Sequence, residues 1–524
     1  MILYDVLSFF QTSFVNACRE YLGNSPVLDE MFEMKKRRDA FVLGDESIIP
    51  YWQSELEHLV ELMNKLRSLL YEVEIYPGGW YGPGAIASAI LKRKSMEEPI
   101  RFPLSEAITD AAERAYYGGR FEQFKVGYVP NVVEYDIRSA YPEAIAQLPD
   151  FSTARWINNF VGWIQPHGLY KISWDIQSKR LMEIGPLPWR DDKGRVFFPL
   201  TGYSSWYWGI EVANLAEYGI PYKVHESWIP VWNTAAERDS KPFAWIADMY
   251  YDRAEMKRTG KPAEKALKLG MNSIYGKLAQ STGAKIDGET LEWKKPKWHN
   301  ILYSGWVTAA TRAKIYRTAY THRFSLVAIE TDAIFCRHSI DTIELGTKLG
   351  EWERTDFPEC LYVNSGVYYA MGSDGVWKYK SRGVEKDSGH NHEYWRDVFK
   401  RLPTKQMEVT VTARRFGTVL RSKNYGNWYD HSLTYRLPTR DSKRVHNPYL
   451  CIVCRSALKA GEKAPSFAEA FHPLHVPEEP IGTDVLTSIP YPFPWRDDKA
   501  FRWPESLDLI IPEDMPQFLW SETE

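Results

Sequence analysis

Little in this sequence points away from a reducing, aqueous compartment. Five cysteines in 524 residues are too few for a disulfide scaffold. The opening MILYDVLSFFQTSF has neither a basic n-region nor a small-residue cleavage site, so no signal peptide is expected. No run of roughly 18 apolar residues occurs, so nothing is expected to span a membrane, and a cytoplasmic setting follows. An excess of one charge is also missing: 65 Lys and Arg against 68 Asp and Glu leave a formal net charge of −3. Bulk electrostatics therefore announce no polyanionic partner. The glycine-rich YPGGWYGPG (76–84) lacks a following GK[ST], which argues against a nucleotide P-loop. PWRDDK recurs at 188–193 and 494–499 without longer self-similarity, so no repeat architecture is implied.

What is present is globular. The chain is 44% hydrophobic and 25% charged, long enough for about three or four ordinary domains. Aromatics reach 15%, with 21 Trp, which suits base stacking and core packing alike. The charge is uneven. Seven basic residues and two acidic ones lie between Arg253 and Lys277, a local density that a phosphate-binding surface requires and that a solvated helix also shows.

Residues 1–95 read as a strand followed by amphipathic helices. One runs from about Tyr51 to Tyr71 with Leu56, Leu59, Leu62 and Leu66 near helical spacing, and another covers 85–94. NVVEYDI (131–137) reads as a strand. SAYPEAIAQL then opens a helix, with Ser139 as a candidate cap. Segment 151–235 is β-rich. Helices follow at about 241–259 and 262–280, separated at Gly260-Lys261-Pro262, and a further one at 304–322. LVAIETDAIFCR reads as two short strands around a tight turn.

Three segments carry chemistry together. The first, Asp136-Ile137-Arg138-Ser139-Ala140-Tyr141-Pro142, ends a strand on a carboxylate. The second is Lys268-x-x-x-Asn272-Ser273-x-Tyr275-Gly276 on a helix, and the third is Glu330-Thr331-Asp332 at a hairpin turn. Two Asp residues at strand ends converge if their strands are sheet neighbours. Such a pair suits two-metal nucleotidyl transfer, because magnesium takes oxygen ligands, retains waters and needs only one or two protein carboxylates beside a triphosphate. Lys265, Lys268, Asn272 and Tyr275/Gly276 share one helix face, while Leu267, Met271, Ile274 and Leu278 share another. The first face is free to meet a triphosphate and base pair. Gly276 would admit a close approach.

These segments resemble motifs A (DxxSLYP), B (KxxxNSxYG) and C (DTDS) of family B DNA polymerases of the phage and plasmid, protein-primed-like type. Tyr116-Tyr117-Gly118-Gly119-Arg120 is similar to the YxGG element of such polymerases. Lys380-Ser381-Arg382-Gly383 is similar to the strand that approaches the primer end. The resemblance covers roughly 116–385 and implies an α+β right-hand fold of palm, fingers and thumb, with a partial RNase H-like exonuclease remnant in front. It implies catalytic Asp136 and Asp332 holding two Mg2+ ions (Mn2+ as a substitute), with the Ile137 carbonyl as a further ligand. Ser139, Ala140, Tyr141, Lys268, Asn272 and Tyr275 would bind the incoming nucleotide, Tyr141 as the steric gate against a ribose 2′-hydroxyl. Tyr116, Gly118, Gly119, Gly276, Thr331, Lys380 and Arg382 would meet DNA and primer. Arg253, Lys257, Lys261 and Lys265 stand where accessory phosphate contacts are expected.

The implied segmentation is an exonuclease-like remnant at 1–115, palm at 116–150 and 304–386, a β-rich insertion at 151–238, fingers at 239–280, a short hairpin at 281–303, and thumb and C-terminal region at 387–524. The implied partners are a DNA template-primer and dNTPs, with a terminal (primer) protein or a chain completing the exonuclease as further candidates. The setting is then a bacterial host's cytoplasm if the gene is viral or plasmid-borne. Three positions depart from the pattern: Glu330 replaces the first Asp of motif C, Ala333 its Ser, and Ala140 the Leu of motif A. Tyr51 and Glu55 occupy the place of the last exonuclease element, with no DxE pair before them, so proofreading by this chain alone is not expected. Cys451-x-x-Cys454 with His472-x-x-His475 has zinc-ligand types at an uncommon spacing, and YLCIVCRS reads equally as a buried strand. Against the enzyme stands a catalytically silent, polymerase-like DNA-binding or accessory subunit, which Glu330 and the short front favour.

Overall fold

The computed structural model describes residues 7–10, 12–35, 46–158, 162–176, 184–191, 194–287, 290–381, 392–393, 406–412, 432–438, 444–446 and 485–490. Arg382, Cys451, Cys454, His472 and His475 lie outside the described residues. The chain forms two compact units: Met1–Leu104 with Tyr141–Ala154 and Trp232–Ser304, and Ser105–Ala140 with Arg155–Val231 and Gly305–Glu524. Among the described residues no helix is long and apolar enough to cross a membrane.

The first unit is mostly helical. Its helices are α1 (Leu7–Phe10), α2 (Phe14–Leu22), α3 (Pro26–Lys35), α4 (Ile49–Glu72), α5 (Pro83–Arg93), α6 (Glu97–Ile100), α8 (Ala140–Ala146), α10 (Ala235–Asp239), α11 (Trp245–Arg258) and α12 (Glu264–Ala279), joined by the hairpin β9 (Thr282–Asp287)–β10 (Thr290–Lys294). Leu7–Phe10, expected as strand, is helical. An isolated strand would leave its N–H and C=O groups unpaired, and no strand lies beside this segment among the described residues; Phe9 and Phe10 pack on Trp80 and Tyr21 instead. The described part of 1–104 therefore offers no sheet on which an RNase H-like remnant could be recognised.

Helix α4 buries Tyr51, Leu62, Leu66, Leu69 and Leu70, whereas Leu56, expected on the same stripe, is 62% exposed. The α11–α12 break falls at Gly260, whose φ of +70° suits glycine. Gly270 of α12 lies against Ile86 and Ile90 of α5 so closely that a Cβ would meet the Ile90 side chain at 2.5 Å. This contact presses α12 onto α5 and leaves the Lys268 face outward.

The second unit is built on an antiparallel sheet in the order β1 (Arg120–Gln123), β11 (Leu326–Thr331), β12 (Ala333–Cys336), β2 (Lys125–Ile137), β13 (Trp352–Asn364), β14 (Val367–Met371), β15 (Trp377–Ser381), with β19 (Val485–Pro490) and β18 (Arg444–His446) joined at the start of β2. A second sheet has the order β3 (Arg155–Ile157), β8 (Tyr222–Val231), β4 (Leu169–Asp175), β7 (Thr201–Trp208), beside the small pair β5 (Trp189–Arg190)–β6 (Val196–Phe197). Helices α7 (Glu106–Arg114), α9 (Gly209–Glu217) and α13 (Ile301–Thr321) and the pair β16 (Gln406–Thr412)–β17 (Ser432–Pro438) complete it.

Period-two alternation along β2 divides the main sheet into two faces. Val133, Tyr135 and Ile137 enter a core with Ile334, Trp352 and Ile315 and Tyr316 of α13. Val132 faces the other way, with Ala333, Phe335, Tyr362 and Tyr368.

Buried charge holds this unit at two points. Arg312 of α13 donates from Nε and Nη2 to both oxygens of Glu211 (2.8 and 2.9 Å), and from Nη1 to the carbonyls of Tyr117 (2.5 Å) and Gly118 (2.7 Å). On β1 and β18, Arg120 and Arg444 both donate to Glu122, and all three are almost wholly buried. Breaking a buried pair leaves one charge uncompensated. Arg312→Met should therefore destabilise the protein by about 3–5 kcal/mol in a denaturant titration, and adding Glu211→Leu should recover most of that loss. Additive losses would show that the pair contributes nothing as a pair.

Candidate functional site

The two motif carboxylates are brought together by sheet register. Asp136 ends β2, and Asp332 sits in the turn between β11 and β12; β12 pairs directly with β2, Ala333 opposite Asp136. Ile137 N–H donates to the Asp332 carbonyl at 2.9 Å, which ties the hairpin turn to the strand end. On the same face a row runs across four strands: Glu330, Ala333, Asp136 and Glu353. The next row is Ala328, Phe335, Glu134 and Thr355. Glu134 and Glu353 thus join the two Asp residues. Sequence reading missed both, although Glu134 stands two residues before Asp136 and alternation alone puts it on that face.

The carboxylates are short of positive charge. Burial first, then Asp332, Glu134 and Glu353, push Asp136 up to about 8, with Arg138 opposing. Burial raises Asp332 to about 6 and is partly offset by a backbone hydrogen bond. Arg138 is the adjacent cation, but it is committed elsewhere: Nε donates to the Gly346 carbonyl at 2.7 Å and Nη1 pairs with Glu353 at 3.0 Å. Such a site favours a bound cation. Among the described residues no three His, Cys, Asp or Glu side chains are arranged to hold an ion by themselves.

Both turns are backbone-strained. Thr331 has φ +62° and Ser139 φ +51°, the left-handed region that β-branched residues avoid. With Glu330 paired to Ala333, Thr331 is the first central residue of a two-residue hairpin turn, where positive φ is demanded and glycine preferred. Ser139, expected as a helix cap, departs from the extended backbone of a cap because it turns the chain from β2 into α8. Glu330 accepts from Gly366 N–H at 2.9 Å, so the residue that departs from motif C ties down the β13–β14 turn.

On α12, Lys268, Asn272 and Gly276 are exposed, and Leu267, Met271, Ile274 and Leu278 are buried, the two faces that the spacing gave. Tyr275 lies against Tyr141 with ring centroids 4.6 Å apart, bringing together two residues expected at the nucleotide. Ala140 is buried. Lys257 and Lys261 are exposed at the α11–α12 turn. The other two candidate phosphate contacts are engaged: Arg253 pairs with Glu264 at 3.1 Å, and Lys265 pairs with Glu20 at 3.0 Å, above the Tyr21 ring.

The Tyr116–Gly119 segment is fixed through its carbonyls: Arg190 grips that of Tyr116 at 2.7 Å, and Arg312 those of Tyr117 and Gly118. Neither arginine was singled out by sequence, because nothing local links them to a loop some 70 or 190 residues away. Lys380 is exposed on β15. At the candidate nuclease position Tyr51 donates to Glu55 at 2.7 Å, an intrahelical role.

The described architecture is a mixed α+β fold like that of Phi29 DNA polymerase. Its orthorhombic crystal form gives a TM-score of 0.53 at 15% identity, over 78% of this chain and 77% of that one. Its complex with primer-template DNA and incoming nucleotide gives 0.51 at 15% identity with the same coverage. Residues 20–356 match the family DNA polymerase type B, organellar and viral, and the chain belongs to that family. It is 22% identical over 265 residues to a DNA polymerase of Acidianus bottle-shaped virus (isolate Italy/Pozzuoli), covering 49% of this chain and 38% of that protein. It is 26% identical over 277 residues to the primer-independent DNA polymerase PolB of Escherichia coli, covering 49% and 31%. The chain thus spans well under half the length of these relatives.

Two outcomes follow. Thr331→Gly relieves the turn and should stabilise the protein by about 1 kcal/mol; an unchanged or lower melting temperature would mean that Thr331 is not strained. Asp136, raised to about 8, keeps in the folded state a proton that the unfolded chain releases near pH 4. This proton-linked stability is present below about pH 4 and lost as pH rises toward 8. Asp136→Asn should flatten that slope and raise the metal-free melting temperature at pH 8 while changing it little at pH 4. Parallel pH profiles for the two proteins would refute the shift.

Proposed function

We propose that this chain is a template-directed DNA polymerase of phage or plasmid type, adding dNTPs to a primer 3′-hydroxyl with two divalent metal ions, magnesium or manganese. The observation that carries the reading is the pair Asp136 and Asp332, fixed at adjoining strand ends by the Ile137–Asp332 hydrogen bond on a face deficient in cations. Membership of the polymerase family supports it. Asp136 and Asp332, with the Ile137 carbonyl, are the residues that would hold the metals. Bound there, the ions would lower the pKa of the 3′-hydroxyl and stabilise charge on the leaving pyrophosphate.

The chain's own groups do the rest. Lys268 binds triphosphate oxygens, and Asn272 and Tyr275 line the nascent base pair. Tyr141, braced by Tyr275, excludes a ribose 2′-hydroxyl. Lys257 and Lys261 reach further phosphates. Tyr116–Gly119 and Lys380 contact the DNA, with Arg190 and Arg312 holding the former in shape. In this reading 116–150 and 304–386 are palm, 239–280 fingers and 151–238 an insertion. Residues 7–104 act as a helical support rather than a nuclease. Glu330 serves as a hairpin tie, so its departure from Asp does not speak for a silent subunit.

Asp136→Ala or Asp332→Ala should each lower primer extension by at least about a thousandfold, the worth of several kcal/mol of lost metal stabilisation. DNA binding should change little, and Glu330→Ala should be milder. Near wild-type extension by either Asp variant would end the assignment. Tyr141→Ala should raise ribonucleotide incorporation relative to dNTPs; an unchanged ratio would make Tyr141 a packing residue. A mismatched, labelled primer incubated with magnesium and no dNTPs should stay intact. Degradation that persists in Asp136→Ala and vanishes in Glu55→Ala would reveal a working nuclease.

A further inference from the structure

The sheet face that bears Asp136 is not flat. On a flat sheet the β13–β14 turn, which lies beyond the Gly127 end of β2, would be roughly 30 Å from the Asp136 row. Yet Gly366 in that turn hydrogen-bonds Glu330 in the Asp136 row at 2.9 Å. The strands therefore coil back over their own face. Asn131 and Gly127 of β2, with φ of +53° and +101°, are the bends that permit this.

Inside the coil, three cross-strand steps join Glu134 to the hairpin. Glu134 is directly opposite Phe335. The Phe335 ring packs on Tyr368 with centroids 5.4 Å apart. Tyr368 is directly opposite Lys380. Residues directly opposite share a face, so Lys380 and Glu134 border one aromatic patch from two sides. Among the described residues no hydrogen bond or ion pair within 4 Å engages Glu134, and its carboxylate is half-buried. It stands two positions before Asp136, about 7 Å along the strand. On the shared face that spacing leaves its carboxylate within reach of the water that a magnesium ion held by Asp136 would retain.

We propose that Glu134 is a third carboxylate of the metal site, a positioning residue that acts on the catalytic metals through their bound water, with Lys380 as its counter-ion. The proposal rests on the metal-dependent reading above. Lys380 borders the same aromatic patch as Glu134, through Tyr368 and Phe335. Glu134 thus faces Lys380 on one side and the metal carboxylates on the other. The ammonium and the ions compete for it.

The test is Mn2+ affinity, measured by electron paramagnetic resonance on the full chain with template-primer, alongside the Mg2+ dependence of single-nucleotide extension. Glu134→Gln keeps the shape and removes the charge. It should weaken Mn2+ binding about fivefold and raise the Mg2+ midpoint in step, since a unit charge at this distance acts on a divalent ion through water and protein. Lys380→Met should shift Mn2+ affinity the other way, about twofold tighter. A role confined to folding would lower the melting temperature and leave the affinity of the folded protein alone. Wild-type Mn2+ affinity in Glu134→Gln overturns the proposal. Should that variant fail to fold, unchanged or weaker Mn2+ binding by Lys380→Met overturns it instead. Asp136→Ala separates the two levels: if it still extends primers the polymerase reading falls, and if it is dead while Glu134→Gln binds Mn2+ normally, only the role of Glu134 falls.

Discussion

One backbone hydrogen bond, from Ile137 N–H to the Asp332 carbonyl, does more than any side-chain contact to define this protein. It joins the end of β2 to a two-residue turn that the chain reaches almost two hundred residues later. Burial then disfavours the charge of both attached carboxylates, and repulsion from Asp332 adds to it at Asp136. A pair held apart would be more comfortable. The fold keeps the two together by making them the termini of paired strands, whose register is set by the apolar residues on the opposite face.

The strained residues belong to the same constraint. Thr331 and Ser139 each follow or precede a site carboxylate by a few positions and each occupies left-handed backbone. Neither conformation is what a Thr or Ser would choose alone, and strain of this kind persists only where its surroundings over-determine it. The surroundings here are the Ile137–Asp332 bond and the hold of Glu330 on Gly366. Glu330 is instructive: its longer side chain spans to a turn that coiling of the sheet brings overhead. A substitution that looks like erosion of a motif is, in three dimensions, a hinge pin for the strands carrying Tyr368 and Lys380.

The helical part follows a different logic. The two faces of α12 were legible in the spacing of Lys268, Asn272 and Gly276 against Leu267, Met271, Ile274 and Leu278, because a helix repeats on a scale that local sequence records. Its neighbour α11, the break at Gly260 and the long α4 were legible for the same reason. Leu56 was not: it has the right spacing and stands 62% exposed. A period says which residues share a face and does not say where the covering layer ends. The expectation of a strand failed at Leu7–Phe10 on the same ground, since an apolar, aromatic run becomes a strand only beside another strand.

Sequence by itself singled out Asp136 and Asp332 as a pair and determined the helix that carries Lys268 and the family to which the chain belongs, because each rests on a short motif whose residues are neighbours along the chain. Tertiary structure decided everything that joins distant segments. It turned Arg312 and Arg190 into the clasps of Tyr116–Gly119, gave Glu330 its partner, and placed Glu134 and Glu353 around Asp136. Those relations arise from strand register and from the coil of the sheet. Both are settled by packing among residues hundreds of positions apart, and no local pattern records them.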